Sequence, residues 1–343
     1  MPASSGPERP TLTEVAARAG VSVASASRAL NGASASQEML DKVRAAAADL
    51  GYVADSRARS LKIGRTEQFV LSVEDLGNPV YVAMMRAVEA VVREAGCRLV
   101  VSASGASPAD GIEIVRGLHR GYADGLIVSP LRITPDLLAE LGAARVPVVV
   151  IGTLPADVAL DNVRANSPRG VGLALQHLVD GGRRSVAFVN GPLDTVPGSA
   201  RDRGFRRATR AAGLSTAPQW TAVATDFTYA AGQAATVALL ARVRPDAIVC
   251  ANDLLALGAM RALRDKGLDV PGDVAVTGMD DTDLATMSVP PLTSVSLGSE
   301  KRGQLAARML LDRLADPDLP PRRAVVQPRL AVRESSAPKG RRQ

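Results

Sequence analysis

The chain has 343 residues, of which 46% are apolar, 22% charged and 3% aromatic. It is too long for one small domain and too apolar for wholesale disorder, and its cores must be built mainly from Ala, Val and Leu. The net charge of +6 is uneven: residues 1–65 hold 9 Lys/Arg against 6 Asp/Glu, residues 66–335 are neutral, and residues 336–343 add Lys339, Arg341 and Arg342. A basic head on a neutral body points to a polyanionic partner for the head.

Cys97 and Cys250 lie in apolar runs (AGCRLVV and IVCAND) and read as buried, reduced thiols rather than a bridge or a nucleophile. No positive segment followed by an apolar stretch opens the chain, and no apolar run reaches the ~18 residues of a membrane span. The expectation is a soluble, cytoplasmic protein with no membrane contact.

Residues 1–10, rich in Pro, Ser and Gly, are expected to be a disordered extension. Thr11 and Glu14 have capping-box spacing at the start of a helix over 12–19, which buries Leu12, Val15, Ala16 and Ala19. Gly20 supplies a turn that needs positive φ, and Ser22 is an N-cap for a second helix over 22–30. That helix buries Ala26, Ala29 and Leu30 and exposes Val23, Ala24, Ser27 and Arg28. The pattern is a helix-turn-helix, whose second helix enters the major groove, or an ordinary helical hairpin. A third helix over 37–49 completes a head at 11–53.

From residue 69 the texture changes. FVLSV (69–73), RLVVSA (98–103), GLIVS (125–129), VPVVVIG (146–152), SVAFVNG (185–191), DAIVCAN (246–252) and DVAVTGM (273–279) read mostly as continuously apolar, as parallel strands covered on both faces do. Amphipathic segments separate them. Residues 79–95 place Val80, Met84, Ala87, Val88, Val91 and Ala95 on one stripe. Repeated strand–helix alternation implies an α/β body over 68–335 built on a doubly wound parallel sheet, or on two of them. The tail at 336–343 is expected to be disordered.

Catalytic signatures are missing. There is no phosphate loop, RGVGLAL (169–175) lacks the third glycine of a dinucleotide fingerprint, and His119 and His177 belong to no nucleophile or metal constellation. The acidic run at Asp280, Asp281 and Asp283 lacks a calcium-loop pattern, so neither metal nor cofactor is expected. Arg201, Asn252 and Asp280 are read as lying just beyond strand ends, where open α/β sheets bind ligands.

The run TLTEVAARAGVSVASASRALNG resembles the headpiece of the lac/gal repressor family of bacterial regulators. DSRARSLKIGRT (55–66) resembles that family's hinge, within a linker at 54–67. The resemblance continues through GNPVY (77–81), ADGLIVSP (123–130), LQHLVDGGRRSVAFVNGP (175–192), SARDRGF (199–205), ANDLLALG (251–258), DVAVTGMDD (273–281) and PPLTSV (290–295). It departs from the family pattern at Ala26, at Ala54 before the hinge and at Asp55.

The resemblance implies a small all-α helix-turn-helix head followed by a two-lobed body like a periplasmic binding protein. It implies a homodimer on palindromic double-stranded operator DNA, gated by a small polar effector such as a sugar. It assigns Val23, Ala24 and Arg28 to base edges, with Arg28 suited to bidentate pairing with guanine. Ser22, Ser27 and Asn31 suit phosphate contacts. Leu61 matches the hinge leucine that wedges into the minor groove, flanked by Arg57 and Lys62; a helix-packing leucine is the other reading. Arg201, Asn252 and Asp280 match positions that bond ligand hydroxyl or carbonyl groups, and Tyr81 and Phe227 match flanking rings. Asp75 and Asp253 are further candidates, although Asp253 also suits a helix cap. A transporter's solute-binding protein shares such a body but predicts an export signal and no DNA-reading head.

Overall fold

The computed structural model describes residues 10–30, 36–53, 64–105 and 107–338, in two compact units, 1–66 and 67–343. In the first unit, α1 (Leu12–Ala19), α2 (Val23–Leu30) and α3 (Gln37–Leu50) enclose a small core of Val15, Ala16, Ala26, Ala29, Val43, Ala46 and Ala47. The capping box forms: the Thr11 amide donates to Glu14 Oε2 at 2.7 Å and the Glu14 amide to Thr11 Oγ1 at 3.3 Å. Gly20 ends α1 at φ +66°, a conformation that costs a β-carbon-bearing residue energy. Its amide and that of Val21 close onto the carbonyls of Ala17 and Ala16. The α1–turn–α2 geometry thus follows from two short sequence signals.

The second unit holds two six-stranded sheets. The first runs β11-β5-β4-β3-β1-β2, from Arg323–Val326, Asp161–Ala165, Val148–Ile151, Gly125–Ser129, Gln68–Val73 and Arg98–Ala103, all parallel. In its centre Phe69 lies in register with Leu99 on one side and Gly125 on the other. The second runs β12-β10-β9-β8-β6-β7, from Arg329–Ala331, Thr293–Ser296, Ala275–Met279, Ala247–Cys250, Val186–Asn190 and Thr221–Val223, with only β12 antiparallel.

Both sheets are doubly wound. In the first lobe, α4 (Val80–Glu94) and α12 (Ser299–Ala315) cover the face carrying Phe69, Leu71 and Val73. The opposite face, with Val70, Leu126 and Val128, packs on α5 (Pro108–Leu118) and α6 (Pro135–Gly142). The second lobe has its own core around Phe188, Ile248, Val276 and Val295, with α7 (Ser167–Asp180), α9 (Tyr229–Leu240) and α10 (Asp253–Asp265) packed on it. The chain passes between lobes at 165–167, 296–299 and 326–329, so three segments join them.

Some expectations change. The buried stripe of α4 is Tyr81, Met84, Ala87, Val88 and Val92; Ala95 falls at the helix end and outside it. RLVVSA forms β2, but as an edge strand with Val100 and Val101 exposed rather than covered on both faces. Strands β5, β7, β10, β11 and β12 were not among the apolar runs because they are short or polar, and sheet pairing defines them. The body also continues past residue 335. Ser336 is buried beside His177 and Thr293, and the Ala337 carbonyl accepts from Arg183, so these residues pack with the second lobe and not as a loose tail. Among the described residues, no helix is long and apolar enough to cross a membrane.

Candidate functional site: a reading helix and an interlobe cleft

In the head, α2 presents one face to solvent. Val23 is 44% exposed, Ala24 and Arg28 are exposed, and Ser27 is half-buried. Ser22 caps the helix, accepting from the Ser25 amide at 3.1 Å, and its hydroxyl donates to Ser25 Oγ. Arg28 Nη2 reaches the same Ser25 hydroxyl at 3.3 Å, a weak tether that leaves most of its guanidinium donors available. Asn31, Arg57, Leu61 and Lys62, with Ala54 and Asp55, lie outside the described residues.

In the body, a cavity of about 120 Å³ opens between the lobes. Residues of both lobes and of two crossings line it, among them Tyr81 and Ser129 from the first lobe, Arg201, Phe227, Asn252 and Asp280 from the second, and Ser167 and Leu297. Five of the seven effector candidates from the sequence therefore converge. Asp75 does not: it is exposed outside the cavity, with Oδ1 accepting from the Gly77 amide at 2.8 Å in a turn of its own. Its neighbour Glu74 lines the cavity instead.

Arg201 does not follow a strand. It sits in the second turn of α8 (Val196–Ala211), on the buried face with Gly198, Gly204 and Phe205. Its Nη2 lies 3.7 Å from Asp280 Oδ1 and its guanidinium 5.7 Å from the Phe227 ring centroid, within cation–π range. Asp280 does follow a strand. It leaves β9 at φ +106°, with its amide donating to the Val295 carbonyl. Burial pushes its carboxyl up to about 6, against the pull of Arg201 and Arg302.

Asn252 is the N-cap of α10: Oδ1 accepts from the Leu255 amide and Nδ2 donates to the Phe227 carbonyl, each at 2.9 Å. One acceptor site and one donor remain for a ligand. Asp253 neither caps the helix nor lines the cavity. Its carboxylate accepts from the amide and hydroxyl of Thr282 and from the Ser294 hydroxyl, tying α10 to the loop after Asp280. Phe227 can lie where it does because residue 191 is glycine; a Cβ there would collide with the ring.

Three residues lining the cleft were not singled out from the sequence. Burial and nearby Asp226 raise the Glu74 carboxyl to about 7, against the pull of Arg132. Arg302 stands in the first turns of α12, with Nη2 donating to Ser299 Oγ at 2.9 Å. Exposed Arg164 adds a third cation at the rim. Arg302 had a sequence signal: it falls on the stripe Ser299, Gly303, Ala306 and Leu310, where an amphipathic helix is otherwise uncharged. Burial pushes the Tyr81 phenol up to about 12, so it stays protonated and able to donate.

A solvent-facing helix-turn-helix on one unit and a polar cleft between two doubly wound lobes on the other define a ligand-sensing DNA-binding protein. Comparison with known proteins agrees on both parts. Residues 11–55 match the model of bacterial regulatory proteins of the lacI family, and residues 175–336 that of the periplasmic binding protein-like domain. The HTH-type transcriptional regulator CelR of Thermobifida fusca is 36% identical over 337 residues, covering 95% of this chain and 98% of CelR. The ribose operon repressor of Escherichia coli K12 is 33% identical, covering 95% and 99%. Among solved structures, the lac repressor dimer bound to operator and an anti-inducer superposes with a TM-score of 0.86 at 26% identity, covering 96% of this chain and all of that one. The chain belongs to the LacI family of bacterial regulatory proteins; it is a transcriptional regulator and not an enzyme.

Proposed function

We propose that this chain represses transcription in the cytoplasm by binding a palindromic operator as a homodimer, and that a sugar or related polar metabolite in the interlobe cleft sets its DNA affinity. The observation that carries this reading is the convergence of Arg201, Asp280, Phe227 and Tyr81 on one cavity between lobes joined by three crossings. A guanidinium, a carboxylate and ring faces suit hydroxyl-rich ligands. Similar proteins take such ligands: CelR has been solved with cellobiose, and a LacI-family regulator of Enterococcus faecium with ribose.

Ser22, Val23, Ala24, Ser27, Arg28 and Asn31 are the proposed contacts to the major groove and its phosphates, and Arg57, Leu61 and Lys62 those of the hinge. One head offers too small an interface for tight specific binding, so two heads on one palindrome are needed. A ligand that prefers one lobe arrangement shifts DNA affinity only by its differential affinity for the two states. Fluorescence anisotropy of a labelled palindrome from upstream of the gene, at fixed salt, tests the reading. Salt-dependent specific binding that a small polar ligand moves supports it; no specific binding to any upstream fragment overturns it.

A further inference from the structure

Two guanidinium groups in the cleft, of buried Arg201 and half-buried Arg302, feel the same carboxylate, that of Asp280. Arg201 and Arg302 both have Asp280 as their strongest opposite charge, and Arg201 opposes the charge on Arg302. Glu74, also in the lining, has Asp226, Arg132 and Asp75 as its charged neighbours, so Arg201 and Arg302 face Asp280, while Arg164 is exposed at the rim. The cleft therefore has a surplus of positive charge. Holding an unpaired charge away from water is costly, so such a group normally has a partner in one state of the protein.

A purely structural role would look different, and the same lobe shows how. Arg183 is buried too, and its terminal nitrogens donate to the carbonyls of Asp246, Asp273, Pro271 and Ala337. Among the described residues Arg201 makes no such carbonyl contacts, and Arg302 has only the Ser299 hydroxyl. The Nε atoms of Arg201 and Arg302 lack a hydrogen-bond partner within the protein, but so does that of Arg183, so the difference lies in the terminal nitrogens. The Arg201 and Arg302 side chains line the cavity, where an oxyanion would satisfy their terminal nitrogens.

We propose that the effector is anionic: a monosaccharide carrying a carboxylate or a phosphate, which Arg201 and Arg302 grip while Asp280 accepts from a sugar hydroxyl. This rests on the cleft being the effector site.

The test uses the full chain in thermal-shift and calorimetric titrations. The probes are D-glucuronate, D-galacturonate, D-gluconate, D-glucose 6-phosphate and D-ribose 5-phosphate, with D-glucose, D-galactose and D-ribose as neutral counterparts. At least one acid or phosphate raises Tm and its neutral counterpart does not; which anion binds separates the carboxylate from the phosphate. Arg302→Met then weakens that ligand by roughly 10- to 100-fold, as loss of a hydrogen bond to a charged group does. Arg302→Lys, which keeps the charge and loses the fork, falls between and covers the case that the methionine variant does not fold. A neutral sugar that binds as tightly as its acid, or an Arg302→Met protein that binds the anion unchanged, overturns the assignment. Operator anisotropy on the same panel separates the two levels. A neutral sugar that moves DNA affinity removes only the charge assignment, whereas no response to any compound removes the effector-site reading and this assignment with it.

Discussion

Arg201 Nη2 and Asp280 Oδ1 stand 3.7 Å apart, from the second turn of one helix and the end of a central strand, and neither side chain is more than 9% exposed. At that separation the pair attracts without the short hydrogen bond that would close it. A ligand hydroxyl can bridge the gap, donating to the carboxylate while accepting from the guanidinium. The pair is therefore set up to be completed by a ligand.

Arg201→Ala is expected to abolish the ligand response. It removes the cation over Phe227 and leaves Asp280 with Arg302 alone. The check is anisotropy of a labelled operator with and without ligand. A variant whose DNA affinity still responds in full places the effector elsewhere.

What the sequence made legible follows from how local each signal is. The α1–turn–α2 unit depends on Thr11, Glu14, Gly20 and Ser22, all neighbours of what they cap, and the structure places them as read. The central strands were legible because burial on both faces makes them uniformly apolar. Strand β5, read from DNVRA, was not: Asp161 lies in it only because Arg313 and Arg322, some 150 residues away in sequence, neutralise its carboxylate. In the cleft, residues beside recognisable motifs were found, while Glu74 and Arg302 depend on which way a strand end and a helix face the other lobe. Asp75 and Glu74 differ by one position, which at a strand end exchanges cavity for solvent.

Asp161→Asn should destabilise the body by about 3–5 kcal/mol, the cost of breaking a buried ion pair from one side. The Asp161 side chain is fully buried and accepts from Arg313 Nε at 2.9 Å and from the Arg322 amide at 2.7 Å, joining β5 to α12 and to the approach to β11. Urea unfolding followed by circular dichroism measures the change. A loss under 1 kcal/mol would show that the partly exposed arginines are solvated well enough without it.

The pH dependence of body stability has a definite sign. Burial raises Glu74 and Asp253 to about 7 and Asp280 to about 6, so the folded state holds these protons more tightly than the unfolded chain. Their contribution is full below the ordinary carboxylate range and is lost as pH rises through about 6 to 7. Asp161 acts oppositely. Burial would raise it, but the hydrogen bonds from Arg313 and Arg322 hold it below its ordinary value, so its contribution falls away in acid. The ligand-free Tm should therefore be higher near pH 5 than at pH 8. Glu74→Gln should remove part of that slope, of order 1 kcal/mol for a half-exposed group after solvent screening. A Tm that climbs steadily from pH 5 to 8 contradicts the ordering.

Arg28→Ala is expected to cost roughly 1–3 kcal/mol of operator affinity at one guanine position and to relax preference there, leaving the other positions unchanged. Arg28 is exposed on α2, and its 3.3 Å tether to the Ser25 hydroxyl is long enough to yield to a base. Anisotropy across single-base operator variants reads this directly. A uniform loss across all variants would make Arg28 a phosphate contact instead.

Gly191→Ala probes how the ring under Arg201 is held. The Phe227 ring fills the space a Cβ at residue 191 would need, and its plane carries the Arg201 guanidinium 5.7 Å from the centroid. Adding the methyl must shift the ring, at a cost of about 1–3 kcal/mol for overpacking, and the arginine with it. Phe227→Leu alone opens space and also costs stability. In the double variant the added methyl occupies part of that space, so the two losses should add to less than their sum, by 0.5 kcal/mol or more as contacting residues do. Ligand affinity should stay low in the double variant, because the leucine offers no ring face to Arg201. Strict additivity in stability would separate Gly191 from Phe227, and a double variant with recovered ligand affinity would show that the ring is a spacer and not a platform for the guanidinium.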